Sequence, residues 1–83
     1  MARTGWITLY SKNYKAQIQR FEKGSTYGIK RGRLSRLLIT KNDGNYNWGN
    51  RIVNYDRGWD KQLPKNADKE LRAFYNKIIK NYN

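Results

Sequence analysis

The apolar positions of the chain change their period along its length. Over the first two thirds they come as short runs, several with a spacing of two, which marks strands. Near the end they fall at spacings of three and four, which marks a helix. Residues 5–10, GWITLY, are rich in β-formers and predict a first strand. A polar turn at Ser11, Lys12 and Asn13 follows. Residues 14–21 place Tyr14, Ala16 and Ile18 on one face and Lys15, Gln17 and Gln19 on the other, so they predict a half-buried second strand in a hairpin with the first. After a loop over 22–28, residues 34–41 contain the most apolar run of the chain. Leu37 and Ile39 point one way and Leu34 and Leu38 the other, the pattern of an inner strand. Asp43-Gly44 signals a turn that opens a long loop through Asn50. Residues 51–55, RIVNY, predict a fourth strand. Residues 56–60 predict a turn in which Asp56 accepts backbone hydrogen bonds and Gly58 takes a positive φ, with Trp59 closing the end of the core. Past Pro64, Asn66 is expected to cap a helix over about residues 66–82, with Leu71, Phe74, Tyr75, Ile78 and Tyr82 on one stripe. Asp68 and Glu70 then sit near the helix start, where its dipole favours acids.

These elements predict an α+β protein: a four-stranded antiparallel β-meander with one C-terminal α-helix packed on one face. The chain is read as a single domain, 1–83, with residues 1–4 flexible. Trp6, Tyr10 and Tyr14 are assigned to the core. The sheet face away from the helix is expected to meet solvent or a partner, in a monomer or a homodimer.

Composition removes several kinds of chemistry. The 83 residues include no cysteine and no histidine, so disulfide frameworks, the usual zinc sites and His-based acid–base catalysis are all absent. The carboxylates Glu22, Asp43, Asp56, Asp60, Asp68 and Glu70 do not converge in sequence. Turn capping and pairing with Arg57 or Lys61 account for Asp56 and Asp60. Neither an enzyme, a metal nor a cofactor is expected. The chain has no apolar run of membrane-spanning length and no apolar leader, so a cytoplasmic location, with no membrane partner, is the expectation.

Charge changes the picture most. The formal net charge is +12, from 18 Lys/Arg against 6 Asp/Glu. It is uneven: residues 1–41 hold ten basic residues and one acid, residues 42–83 eight basic residues and five acids. Such a field attracts polyanions. Its densest point is the bend before strand three, with Lys30, Arg31, Arg33 and Arg36. Arginine suits phosphate because its planar fork donates two bonds together. The backbone of residues 28–32 is a possible anion nest. Lys15, with Gln17 and Gln19, extends the surface if strands two and three are neighbours. Tyr27 is placed to stack a base or to buttress the bend. Tyr46 and Trp48 in the long loop are candidate contact residues, against the alternative that Trp48 folds back onto the sheet.

Tyr27-Gly28-Ile29, then Gly32-Arg33-Leu34-Ser35-Arg36-Leu37, then Asn54-Tyr55-Asp56-Arg57-Gly58-Trp59-Asp60 resemble the core of an uncharacterised family of small phage and prophage proteins of Gram-positive bacteria. The likeness spans about residues 5–80. It departs at the basic Lys30-Arg31 and in the longer loop at 45–50. The resemblance implies a phage or prophage origin and no particular activity, though small phage proteins often act by binding, including as inhibitors of host defence. The expected function is a non-enzymatic basic protein of the host cytoplasm that binds nucleic acid or a nucleoprotein complex, in the manner of an anti-CRISPR inhibitor. The alternatives are an inhibitor docking on an acidic host protein and an oligomeric sponge for a signalling nucleotide.

Overall fold

A computed structural model of the protein describes residues 5–42 and 51–83. Residues 1–4, and the 43–50 loop with Tyr46 and Trp48, lie outside the described residues. Five strands, β1 (Ile7–Tyr10), β2 (Tyr14–Arg20), β3 (Leu34–Lys41), β4 (Val53–Asp56) and β5 (Trp59–Lys61), precede one helix, α1 (Lys69–Tyr82). The sheet order is β1-β2-β3-β4-β5 and every pairing is antiparallel. The architecture is α+β as expected, but the sheet has five strands rather than four. The turn at 56–60 is tighter than its composition suggests. Arg57, not Gly58, takes the left-handed conformation (φ 57°), and the chain returns at once, so that Trp59 pairs with Tyr55.

The register explains the core. Ile7, Ile18, Leu37 and Tyr55 form one row across the sheet, and Leu9, Ala16, Ile39 and Val53 form the next. Both rows face α1, which packs Leu71, Phe74 and Ile78 against them. The meander is helix-covered on this face because β2 and β3 alternate in phase, so that small and branched side chains stack row by row.

Leu34 does not point away from Leu37. Gln19 pairs with Arg36 and Arg20 with Leu34, which leaves Ser35 as the extra residue of a β-bulge. The bulge shifts the alternation by one position and turns Leu34 into the core, where it is fully buried. Ser35 is also fully buried, and its hydroxyl donates to the Gln19 carbonyl at 2.9 Å.

The helix starts later than expected. Asp68, not Asn66, is the N-cap, and its side chain accepts from the Leu71 N–H. Glu70 reaches out of the helix to the β1–β2 turn. Its carboxylate accepts from the Ser11 hydroxyl and from the Asn13 backbone N–H and side-chain amide. These bonds, the one from Ser11 first, hold the Glu70 carboxyl below the usual range. Tyr14 donates to Asp68 at 2.7 Å, and that bond is the main reason its phenol is pushed up to about 12. The Asp68 carboxyl is held low by the Leu71 N–H and then by Tyr14. At the other end of α1, the Asn83 amide donates to the Ile29 carbonyl at 2.9 Å and its oxygen accepts from the Leu34 N–H at 3.1 Å. The helix is thus tied to the sheet at both ends by side chains. Among the described residues no helix is long and apolar enough to cross a membrane.

Candidate nucleic-acid interface

The β2–β3 connection forms a compact bend around one 3-10 turn, Ile29–Arg31. Gly28 makes it possible: a Cβ there would lie 2.0 Å from the Gly32 carbonyl oxygen. Ile29 is buried and anchors the turn, while Lys30 and Arg31, both left-handed (φ 50° and 60°), stand exposed beside it. Neither has an ion-pair partner among the described residues. The N–H groups of Gly28, Arg31 and Gly32 donate to the carbonyls of Ser25, Gly28 and Ile29. Three of the five backbone donors of residues 28–32 are thus spoken for, which leaves the side-chain charge of Lys30 and Arg31 as the main feature the bend presents.

The four basic residues that cluster in sequence are divided in space. The Arg33 guanidinium donates to the Phe21 carbonyl at 3.1 Å and so fastens the bend. Arg36 lies on the sheet face away from α1. It pairs with Asp56 at 3.1 Å and sits over the Trp6 ring, 5.7 Å from its centroid. Tyr27 stays beside the bend, 62 % exposed, and its backbone is fixed by the Tyr55 hydroxyl, which donates to the Tyr27 carbonyl at 2.7 Å. Lys15 shares the face of Arg36, with its ammonium 5.9 Å from the Tyr10 ring centroid. Lys15, Gln17 and Gln19 do adjoin β3, as expected from a β2–β3 pairing.

Two aromatic residues assigned to the core belong instead to this face. Trp6 is 53 % exposed and Tyr10 63 % exposed. The inward positions of β1 are Ile7 and Leu9, paired with Ile18 and Ala16, so Trp6, Thr8 and Tyr10 must point out. The signal was present in the hairpin: once Ala16 and Ile18 face inward, the positions opposite them fix which β1 residues follow. Trp59 is 38 % exposed on the helix-covered side and meets Tyr55 edge to face at 4.9 Å. It caps a corner of the core rather than plugging it.

The face is open along β1 and covered toward β3 and β4, where Thr40 and Asn54 are buried. A hollow of about 270 Å³ lies between these regions, bordered by Trp6, Gln17, Arg36, Leu38, Asn54 and Asp56. A larger cleft, about 380 Å³, runs between β1 and α1 past Leu9, Phe74, Lys77 and Ile78, away from the basic bend. Asp56 pairs with Arg36 and also with Arg57, whereas Asp60 pairs with Arg51 at 3.1 Å rather than with Lys61. The Asp60 carboxyl is held below its usual range by the bond from Asn54 and by Arg51. Among the described residues no group of three acids converges to hold a metal ion. A family model described as Domain of unknown function (DUF7678) matches residues 1–83, and the chain belongs to that family. No curated protein and no solved structure matches it.

Proposed function

We propose that this member of the DUF7678 family is a non-catalytic protein that binds nucleic acid, alone or within a nucleoprotein complex. The observation that carries the reading is the state of the bend. Lys30 and Arg31 are exposed, held on a glycine-braced turn, and not neutralised by any described acid. The chain's net charge of +12 adds a long-range field that draws polyanions toward this region. Lys15 beside the Tyr10 ring, and Arg36 beside the Trp6 ring in its pair with Asp56, place cationic groups next to exposed rings, a combination that suits a phosphate backbone with bases beside it.

The likeness of residues 27–37 and 54–60 to small phage proteins supports a further proposal, that the protein is of phage or prophage origin and acts in the host cytoplasm against a nucleic-acid-guided defence complex. An effector-cleavage assay with the purified protein added tests that role directly; cleavage at an undiminished rate rejects it.

Binding itself is tested by titrating the protein against labelled nucleic acid over a range of salt concentrations. Each phosphate neutralised contributes about 0.7 to the slope of log K against log salt on a single strand and about 0.9 on a duplex. Replacing both residues, Lys30→Glu with Arg31→Glu, is expected to flatten the slope by about 1.4 on a single strand or more, and to weaken binding to all sequences alike. Unchanged affinity and slope overturn the assignment.

A further inference from the structure

The sheet face away from α1 holds a second feature that bulk charge does not require. The hollow beside Trp6 combines an exposed indole, the Arg36 guanidinium with its ion-pair partner Asp56, and two side-chain amides, Gln17 and Asn54, around about 270 Å³. Those groups are chemically unlike one another, and a nucleobase uses all of them. Its ring stacks on an aromatic surface, its edge exchanges hydrogen bonds with amides, and its phosphate meets arginine. The Asn54 amide nitrogen donates to Asp60 at 3.1 Å, which fixes the side chain at the edge of the hollow.

We propose that this hollow is a base-binding site and that the preferred ligand is therefore single-stranded nucleic acid, with an unpaired base on Trp6 and the neighbouring phosphate against Arg36. This deepens the nucleic-acid reading above and rests on it. The occupant follows from charge and shape together. The face carries Lys15 and the Arg36–Asp56 pair, and the chain as a whole is strongly cationic, so an anionic ligand is favoured over a second copy of the same chain. Five strands at about 4.8 Å spacing make a sheet about 19 Å wide. The major groove of a duplex is about 12 Å wide and admits a helix or a two-stranded ribbon, not this sheet. Only a base outside a duplex reaches the hollow. Tyr10 lies four residues from Trp6 on the same face, about 13 Å along β1. With Lys15 beside it, Tyr10 is a second platform further along the same strand of ligand.

The experiment compares wild type, Trp6→Ala, Trp6→Phe and the Lys30→Glu/Arg31→Glu double variant. Each is titrated by fluorescence anisotropy against a labelled single-stranded oligonucleotide and against a duplex of the same length. Trp6 is half exposed and outside the core, and thermal melting of each variant verifies the fold. Wild type is expected to prefer the single strand. Trp6→Ala is expected to weaken single-strand binding by about ten- to a hundredfold, the range for loss of one base–aromatic stack. It should leave duplex binding unchanged, while Trp6→Phe recovers part of the loss. If Trp6→Ala leaves single-strand affinity within twofold while the charge reversal lowers it, the base site is wrong and the polyanion reading stands. Duplex preferred over single strand by wild type also overturns the base site. Absence of binding to either form at physiological salt overturns both.

Discussion

Asn83 offers the sharpest check on how the bend is held. Its amide bridges two buried neighbours, donating to the Ile29 carbonyl and accepting from the Leu34 N–H, at 2.9 and 3.1 Å. Asn83→Ala removes both bonds; the Leu34 N–H loses its side-chain partner, whereas the Ile29 carbonyl still accepts from the Gly32 N–H. A net hydrogen bond contributes about 1 kcal/mol, and an unmet buried group costs about 1–3 kcal/mol. Asn83 is only half buried, so water enters part of the vacated space and holds the loss near the lower end, about 2–3 kcal/mol. A domain of this length has about 4–12 kcal/mol in total. The expected fall in Tm is about 10–20 °C, from about 4–8 °C per kcal/mol for a domain of this size. Urea titration followed by far-ultraviolet circular dichroism measures it, with a lower midpoint at unchanged slope. Asn83→Asp keeps the acceptor for Leu34 but turns an oxygen toward the Ile29 carbonyl, so it should fall nearly as far. A loss within about 0.5 kcal/mol for Asn83→Ala, the ordinary scatter of surface substitutions, would refute the idea that this clasp positions the bend.

Two further outcomes follow from the core and the helix cap. Leu37 is fully buried at the centre of the row that joins Ile18 to Tyr55, so Leu37→Ala should cost about 3–5 kcal/mol, and its unfolding midpoint in urea should show it. The Tyr14–Asp68 bond shapes the pH dependence at both ends. The raised Tyr14 phenol contributes stability that is complete below pH 10 and lost as pH rises through 10 to about 12. The lowered carboxyls of Asp68 and Glu70 contribute stability present above about pH 4 and lost as pH falls further. Melting temperatures of wild type and Tyr14→Phe across the pH range test this: the phenylalanine variant should lose the Tyr14 share of the alkaline decline, and an identical alkaline limb would contradict the assignment.

The bounds of β3 were legible because its apolar run is long and β-branched or leucine-rich throughout. Its facing was not, because a bulge at Ser35 leaves no mark in composition, and Leu34 therefore read as outward. β5 escaped notice for a different reason. Its three residues are all exposed, so no buried position imposes an alternation on Trp59, Asp60 and Lys61. The aromatic character of Trp6 and Tyr10 suits a core, but pairing with β2 assigns the inward positions to Ile7 and Leu9 and leaves both rings outside. The basic cluster shows the limit of counting charge along a chain. Of four basic residues within seven positions, two stand at a turn with no ion-pair partner among the described residues, one guanidinium fastens the backbone, and one lies on the far face of the sheet.

The order of the sheet bears on how the chain is made. Each strand bonds only to its neighbours in sequence, an arrangement of low contact order that forms quickly. Chains emerge from the ribosome N-terminus first, so all five strands are available before α1 arrives to cover them. Until then the two rows of core side chains face water, and β1 and β5 are the edge strands of the described sheet. A nascent sheet in that state is prone to pair with its twin on the same messenger. The first 41 residues, with ten cations to a single anion, oppose this by mutual repulsion. The same cationic excess thus acts between unfinished copies as a mutual repulsion during synthesis.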